Sequence, residues 1–336
     1  MKLCTFEVAT SLGRHQRLGA VLTAGIVDLN FACAWHLARK GEVRPYTLAD
    51  VLVPDTLLEF LRGGDTSMGF ARATLASLGE ALPGGAPGGF NGETLVYAPG
   101  AVRLRAPLAE PPSVRDFYAF EEHVKKGFAK RGEPMPGEWY EMPVYYQSTR
   151  QNIIGTGDDV PWPSFTEKFD YELEIAAVIG RAGRNIAASS AREHIAGFTV
   201  MNDFSARDIQ RREMRVRLGP AKGKDWCTAF GPVLVTTDEI GDPYNLTMTA
   251  RVNGEEWSRG NTSALHWKFE QMIEFLSRDQ TIHPGDVIGS GTVGTGCGLE
   301  LDRWVSPGDV LELEIEKIGI LRNRVMRQAG GSSPTQ

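Results

Sequence analysis

Two glutamates, Glu172 and Glu174, open the stretch YELEIAAVIG (171–180), and apolar residues follow them. Side chains on a strand alternate faces, so these two carboxylates point the same way, about 6.5–7 Å apart. A like-charged pair of this kind ordinarily marks a solvated face. The chain carries its own control in VLELEIEK (310–317), where Glu312, Glu314 and Glu316 share one face and Leu311, Leu313 and Ile315 the other. That alternation describes a half-buried strand with one wet side. Around Glu172 and Glu174 the alternation stops, because their face continues into Ala176 and Val178. A strand that is apolar on both faces is covered on both. Its two carboxylates then belong at the mouth of a cavity, where unpaired charge is costly unless something cationic binds.

As hard oxygen donors, carboxylates favour Mg2+, Ca2+ or Mn2+ over zinc. The six histidines are scattered, with no HxxxH spacing, which argues against a zinc site. Two aspartates stand in suggestive company: Asp116 in VRDFYAFEEHV and Asp203 in VMNDFSARDIQ. Asp203 follows an apolar run and precedes Ser205-x-x-Asp208, which fits a capping box. That places it at a strand-to-helix junction, with Arg207 and Gln210 on the first helical turn. Local capping and turn formation would account for both aspartates by themselves. The run GSGTVG (289–294) matches G-x-G-x-x-G, but a dinucleotide loop must lead straight into a helix. Here TGCGLELDRW comes next and reads as loop and strand, so the better reading is a tight glycine turn displaying Thr292 to a cavity.

The elements that must position these residues fall into two units. With 336 residues, 42% apolar and 23% charged, the chain has the composition of an ordinary globular protein, long enough for two domains. A net charge of -6 argues against nucleic acid or anionic membranes as partners, and RDIQRREMRVR reads as a solvated helix face. No apolar run is long enough for a signal peptide or a membrane span. Cys4, Cys33, Cys227 and Cys297 form no CxxC pair, which fits reduced thiols in the cytoplasm. Residues 1–105 read as a small N-terminal α/β domain, with β-like KLCTFEVAT and RLGAVLTAGIVDL. Its helices fall near NFACAWHLARKG, DTLLEFLRGG and TSMGFARATLASLGEAL. The breaker-rich PGGAPGGFNG and APLAEPPSVRDF separate it from a catalytic domain, residues 106–325. There YELEIAAVIG, FGPVLVTT, NLTMTARVNGEEW, DVIGSGTVG and DVLELEIEKIGIL read as strands, mostly antiparallel, with helices near 190–196, 205–217 and 266–278. PGDV occurs at 284–287 and 307–310, where Pro-Gly suits the centre of a type II turn. The expected class is α+β, mostly β, with a disordered tail at 326–336.

Taken together, these residues resemble the fumarylacetoacetate hydrolase (FAH) superfamily over 115–320, chiefly through MNDFSARDIQ, YELEIAAVIG, SGT and GLELDRW. The resemblance implies a mixed β-sandwich roll for the C-terminal domain and a homodimer. It also implies a divalent cation on Asp116, Glu172, Glu174 and Asp203, with Mg2+ first and Ca2+ or Mn2+ as alternatives. Tyr118 resembles a substrate-binding tyrosine, His123 the general base, and Glu300 the glutamate that orients it. Arg207, Gln210, Lys224 and Thr292 look like the polar groups around the substrate oxygens, and Tyr146 in PVYYQS is a weaker match. Met214 stands where fumarylacetoacetases carry a tyrosine. Lys126 stands where the smaller acylpyruvases and decarboxylases place a glutamate, which shifts the acid role to Glu300. The Pro/Gly-rich residues 130–142 have the composition of a lid over the site. The implied activity is hydrolytic C–C cleavage of a β-diketone, acylpyruvate or fumarylacetoacetate-like acid. The alternative is a 2-oxoacid decarboxylase, hydratase or isomerase using the same metal–enolate chemistry. A third reading, from another class, is a non-catalytic cation-stabilised scaffold that binds a ligand.

Overall fold

The computed structural model describes residues 1–327. The chain opens with a meander of β1 (Lys2–Thr10), β2 (Gly13–Leu22) and β3 (Gly25–Asp28). Helices α1 (Leu29–Arg39), α2 (Pro45–Leu52), α3 (Leu57–Arg62) and α4 (Gly64–Ala81) come next, then β4 (Val96–Tyr97) and β5 (Arg103–Arg105). The middle of the chain supplies β6 (Val114–Phe117), α5 (Glu121–Arg131), β7 (Tyr145–Ser148), β8 (Ile153–Ile154) and β9 (Asp159–Trp162). After these stand β10 (Phe169–Asp170), β11 (Leu173–Ile179), β12 (Ile195–Asn202), β13 (Ser205–Ala206) and α6 (Arg207–Val216). The last third holds β14 (Thr228–Thr236), α7 (Thr237–Ile240), β15 (Thr247–Val252), β16 (Glu255–Asn261) and α8 (Phe269–Ser277). It ends with β17 (Val287–Gly289), α9 (Gly298–Leu301), β18 (Val310–Ile315) and β19 (Gly319–Arg327).

The strands build a large sheet ordered β4-β3-β2-β1-β14-β12-β11-β17-β6-β7, with β5 on β1 and β8 on β14, a smaller one ordered β16-β15-β18-β19-β9, and a two-stranded pair of β10 and β13. The class is the expected α+β with strands predominating, and the two larger sheets are open. Because β1 pairs with β14, the large sheet runs unbroken through the division placed at residue 105, which stays a proposal about folding units.

Every residue of β11 is buried, and the two faces are covered by different partners. Leu173, Ile175, Ala177 and Ile179 join a core with Met248, Ala250, Leu311, Leu313 and Ile315 of the smaller sheet. Ala176 and Val178 join a second core with Leu37, Phe60, Leu61 and Ala71 from the N-terminal helices. Burial on both sides removes the reason for alternation. By contrast β18 alternates as read: Leu311, Leu313 and Ile315 are buried while Glu312 and Glu314 are only partly so. The two Pro-Gly turns also form, with Gly285 at φ 89° and Gly308 at φ 98°, the left-handed region a type II turn requires.

Several local expectations are corrected. The strand expected over DVIGSGTVG is confined to β17, and residues 290–296 run as loop and turn. GLEL is not strand but the short helix α9. Residues 190–196 give only a 3-10 turn at Ala191–His194, because β12 begins at Ile195. The Ser205–Asp208 capping box does not form. Ser205 Oγ instead donates to the Asp203 carbonyl, and the Asp208 carboxylate accepts from Thr166 Oγ1 and from the Glu167 amide. Helix α5 was missed, although its pattern is in the sequence. Glu121 and Glu122 lie in its first turn and Lys130 and Arg131 in its last, matching the helix dipole, and Gly132 ends it at φ 71°. Of the expected tail, Met326 and Arg327 belong to β19, and the remainder lies outside the described residues. Among the described residues no helix is long and apolar enough to cross a membrane.

Candidate metal centre and active site

Strand directions explain why distant residues meet. β11 runs antiparallel to both β12 and β17, and β17 runs parallel to β6. The start of β11 therefore lies at the same edge of the sheet as the ends of β12, β17 and β6. Those positions carry Glu172 and Glu174, Asp203, the glycine turn after Gly289, and Asp116. One carboxylate oxygen from each of Asp116, Glu172, Glu174 and Asp203 lies within 4.8 Å of the other three, and all four residues are buried.

The glycine turn wraps these acids rather than a phosphate. Gly289 sits opposite Asp116 in register, and a Cβ there would lie 2.4 Å from Asp116 Oδ1. The Gly291 amide donates to the same oxygen at 3.1 Å, and Thr292 Oγ1 donates to Glu174 Oε1 at 3.3 Å. Helix α9 starts only at Gly298, so the run lacks the immediate helix of a dinucleotide loop.

The charges divide unevenly. Burial, then repulsion from Asp203, pushes the Asp116 carboxyl well above its ordinary range, and burial with Asp116 and Glu172 does the same to Glu174. Asp203 is also raised, because burial outweighs the attraction of Lys224. Glu172 moves the other way: burial would raise it, but Arg207 and Lys224 together hold it far below the usual carboxylate range. Arg207 donates to Glu172 Oε1 at 2.7 Å, while Lys224 Nζ donates to Glu172 Oε2 and, at 2.6 Å, to Asp203 Oδ2. Glu174 Oε2 and Asp203 Oδ1 are buried without a hydrogen-bond partner among the described residues. Two orphaned carboxylate oxygens in an all-oxygen donor set fit a hard divalent cation.

Beside the acids, His123 of α5 meets Glu300 of α9. The contact is Nδ1 to Oε1 at 2.5 Å, which leaves Nε2 as the ring's other polar atom. Burial would raise Glu300, but the bond to His123 and its charge hold it below its ordinary range. The Thr295 amide donates to Glu300 Oε2 at 2.9 Å, and Lys126 Nζ stands 3.6 Å from the same oxygen. The Tyr118 ring sits edge-on to His123, with centroids 5.2 Å apart, and burial pushes its hydroxyl up to about 12.

All the remaining candidates are near this centre, some in unexpected company. Tyr146 lies opposite Asp116 on β7 and donates to Asp203 Oδ2 at 2.6 Å, so it touches the acid cluster directly. Gln210 accepts from Arg207 Nη1 at 3.0 Å. Met214 is largely exposed on the solvated part of α6. Within 130–142, Trp139 is buried and donates to the Tyr118 carbonyl at 2.7 Å, which ties that segment to the site; a lid role for it stays a proposal. Sequence reading missed Asp170 and Cys297. Asp170 is buried and accepts from Arg207 Nε at 2.7 Å, and Cys297 Sγ lies 3.6 Å from Glu300 Oε1. The available signal for Asp170 was its place two residues before Glu172, where a third acid on one face of an otherwise apolar segment needs its own partner.

Comparison with known proteins places this geometry in context. A family model for the C-terminal domain of fumarylacetoacetate (FAA) hydrolase matches residues 113–326. A human protein named a mitochondrial oxaloacetate tautomerase is 31% identical over 97% of this chain and 92% of its own length. Among solved structures, a fumarylacetoacetate hydrolase from Exiguobacterium antarcticum is 27% identical and superposes with a TM-score of 0.68, covering 98% of this chain and all of its own. A fumarylpyruvate hydrolase from Pseudomonas aeruginosa, solved with Mn2+ and pyruvate, is 25% identical with a TM-score of 0.56, over 65% of this chain and 91% of its own.

Proposed function

The chain belongs to the fumarylacetoacetate hydrolase family, and from that premise we propose that it moves a proton on the carbon beside a carbonyl, interconverting the keto and enol forms of an oxaloacetate-like 2-oxo dicarboxylate. The observation that carries this reading is the His123–Glu300 pair standing beside the acid cluster. Asp116, Glu172, Glu174 and Asp203 would hold a divalent cation, Mg2+ or Mn2+ first, whose chemistry is Lewis-acid stabilisation of negative charge on the substrate oxygens.

The chain's own residues do the rest. His123 Nε2 takes the proton from the carbon between the carbonyl and the distal carboxylate and returns it to the carbonyl oxygen. Glu300 holds the ring by Nδ1 and stabilises the imidazolium formed between the two transfers, as the third group does in a catalytic triad. Arg207 and Lys224 offset the negative charge of the cluster, and Gln210 and Thr292 fix polar groups around it. Tyr118 closes the site against the histidine ring.

The second reading is hydrolytic C–C cleavage of an acylpyruvate or β-diketone acid. The same pair favours it, because an oriented histidine can equally deprotonate a water. Purified protein with Mg2+ or Mn2+ separates the two: absorbance of enol oxaloacetate tracks tautomerisation, and pyruvate release from a panel of acylpyruvates tracks cleavage. Accelerated enol decay without cleavage supports the first reading, and cleavage with no effect on the enol replaces it by the second.

A further inference from the structure

Asp170 belongs neither to the acid cluster nor to the histidine pair, yet it touches the supports of both. It has no exposed surface. Its Oδ1 accepts from the amides of Gly298, at 2.7 Å, and Tyr171, at 3.0 Å. Its Oδ2 accepts from the Leu299 amide at 3.0 Å and from Arg207 Nε at 2.7 Å. Gly298 and Leu299 are the first two residues of α9, and Glu300 is the next. Arg207 in turn reaches Glu172 Oε1 at 2.7 Å with its Nη2. One carboxylate therefore fixes both the start of the helix that carries Glu300 and the guanidinium that grips a carboxylate of the cluster.

We infer that Asp170 is a positioning residue that sets the His123–Glu300 pair against the acid cluster. All four of its partners are donors, so only a group that accepts at both oxygens satisfies them. An amide would satisfy one pair and turn its NH2 against the other, either the Gly298 and Tyr171 amides or the Leu299 amide and Arg207. Space is equally restricted: a Cβ on Gly298 would lie 2.2 Å from the Arg303 carbonyl and 2.7 Å from Asp170 Oδ1. The junction has no slack to absorb the mismatch.

This inference rests on the proposed reaction only for its kinetic assay. Turnover is measured on whichever substrate the wild type uses, enol oxaloacetate or an acylpyruvate. Asp170→Asn is expected to lower kcat on the order of 10- to 100-fold, the range for groups that orient metal-site and catalytic side chains, with KM and Mn2+ affinity within about 3-fold. The Asp170→Asn/Glu300→Gln double variant should lose no more than about 2-fold beyond the worse single, since residues acting as one unit are non-additive. Independently of activity, the proton between His123 and Glu300 is expected to give a far-downfield 1H NMR signal in the wild type, and that signal should move or vanish in Asp170→Asn. Wild-type kcat with an unmoved signal, or losses that multiply in the double variant, overturns the inference. If Asp170→Asn does not fold, Arg207→Lys reads the same junction from its other side, and an unmoved downfield signal there overturns it too. A wild type that turns over neither substrate counts against the proposed reaction, while the NMR signal still decides the role of Asp170.

Discussion

The same E-x-E pattern stands at the entry to β11 and on β18, in neighbouring sheets, and is put to opposite uses. On β18 the glutamates face outward and meet arginines at the surface, Glu314 with Arg251 at 2.7 Å and Glu312 with Arg322 at 3.2 Å. Such pairs contribute little, because water screens them and two long side chains must be ordered to form them. At the start of β11 the glutamates face the side closed by the N-terminal helices and converge with two aspartates from other strands. The lesson is that a carboxylate pair acquires chemistry from what covers its strand and what ends beside it.

The sharpest way to break this comparison is to remove the cation. Chelation with EDTA should abolish turnover, and Mg2+ or Mn2+ should restore it. Glu174→Gln should remove turnover and weaken Mn2+ binding by calorimetry. The same change should raise the melting temperature of metal-free protein by about 2 °C or more, because it relieves a carboxyl that burial, and then repulsion from Asp116 and Glu172, already pushes toward its neutral form. Full activity after chelation would mean that the acid cluster is structural.

A step smaller in effect, His123→Ala and Glu300→Gln should each lower kcat on the order of 10²-fold while Mn2+ still binds. Unchanged kcat in His123→Ala would remove the base from the mechanism.

Proton competition sharpens the contrast further. Asp116, Glu174 and Asp203 have raised pKa values, so in the metal-free protein they hold protons at a pH where ordinary carboxylates have lost theirs. A cation must displace those protons, so Mn2+ affinity should fall as pH falls, by about 10-fold per pH unit for each proton displaced. An affinity independent of pH between about 5 and 8 would contradict the raised values.

The smallest effect belongs to β18. Glu314→Gln should change stability by no more than about 0.5 kcal/mol and leave kcat and the pH slope alone. A loss there comparable to that of Glu174→Gln would mean that the two strands are not as different as their burial indicates.

Much of this contrast was legible in the chain. The broken alternation after Glu174 pointed to a strand covered on both faces, and the kept alternation at Leu311, Leu313 and Ile315 pointed to one wet side; both hold. The two PGDV turns were equally local, since φ at one glycine decides them. Helix α9 was harder: four residues are too few to show a period, and its first amides are held by Asp170, far away in sequence. The capping box at Ser205–Asp208 failed for the same reason, because Thr166 and the Glu167 amide outcompeted the local partner.

The sequence by itself determined which side chains could do chemistry, because residue type sets donor hardness and pKa, and that β11 and β18 would be strands of different burial, because periodicity reflects the two faces of a backbone. Tertiary structure alone decided which of them meet. The strand order β12-β11-β17-β6 brings Asp203, Glu174 and Asp116 to one edge of the sheet, although they are separated along the chain. Helices from the first hundred residues close the face on which Glu174 lies, and so turn a pair that would be solvated into one that needs a cation. Asp170 shows the limit most clearly: its four partners come from its own neighbour, α6 and α9, and no local pattern could name them, because a buried carboxylate is satisfied by whatever donors the fold brings within reach.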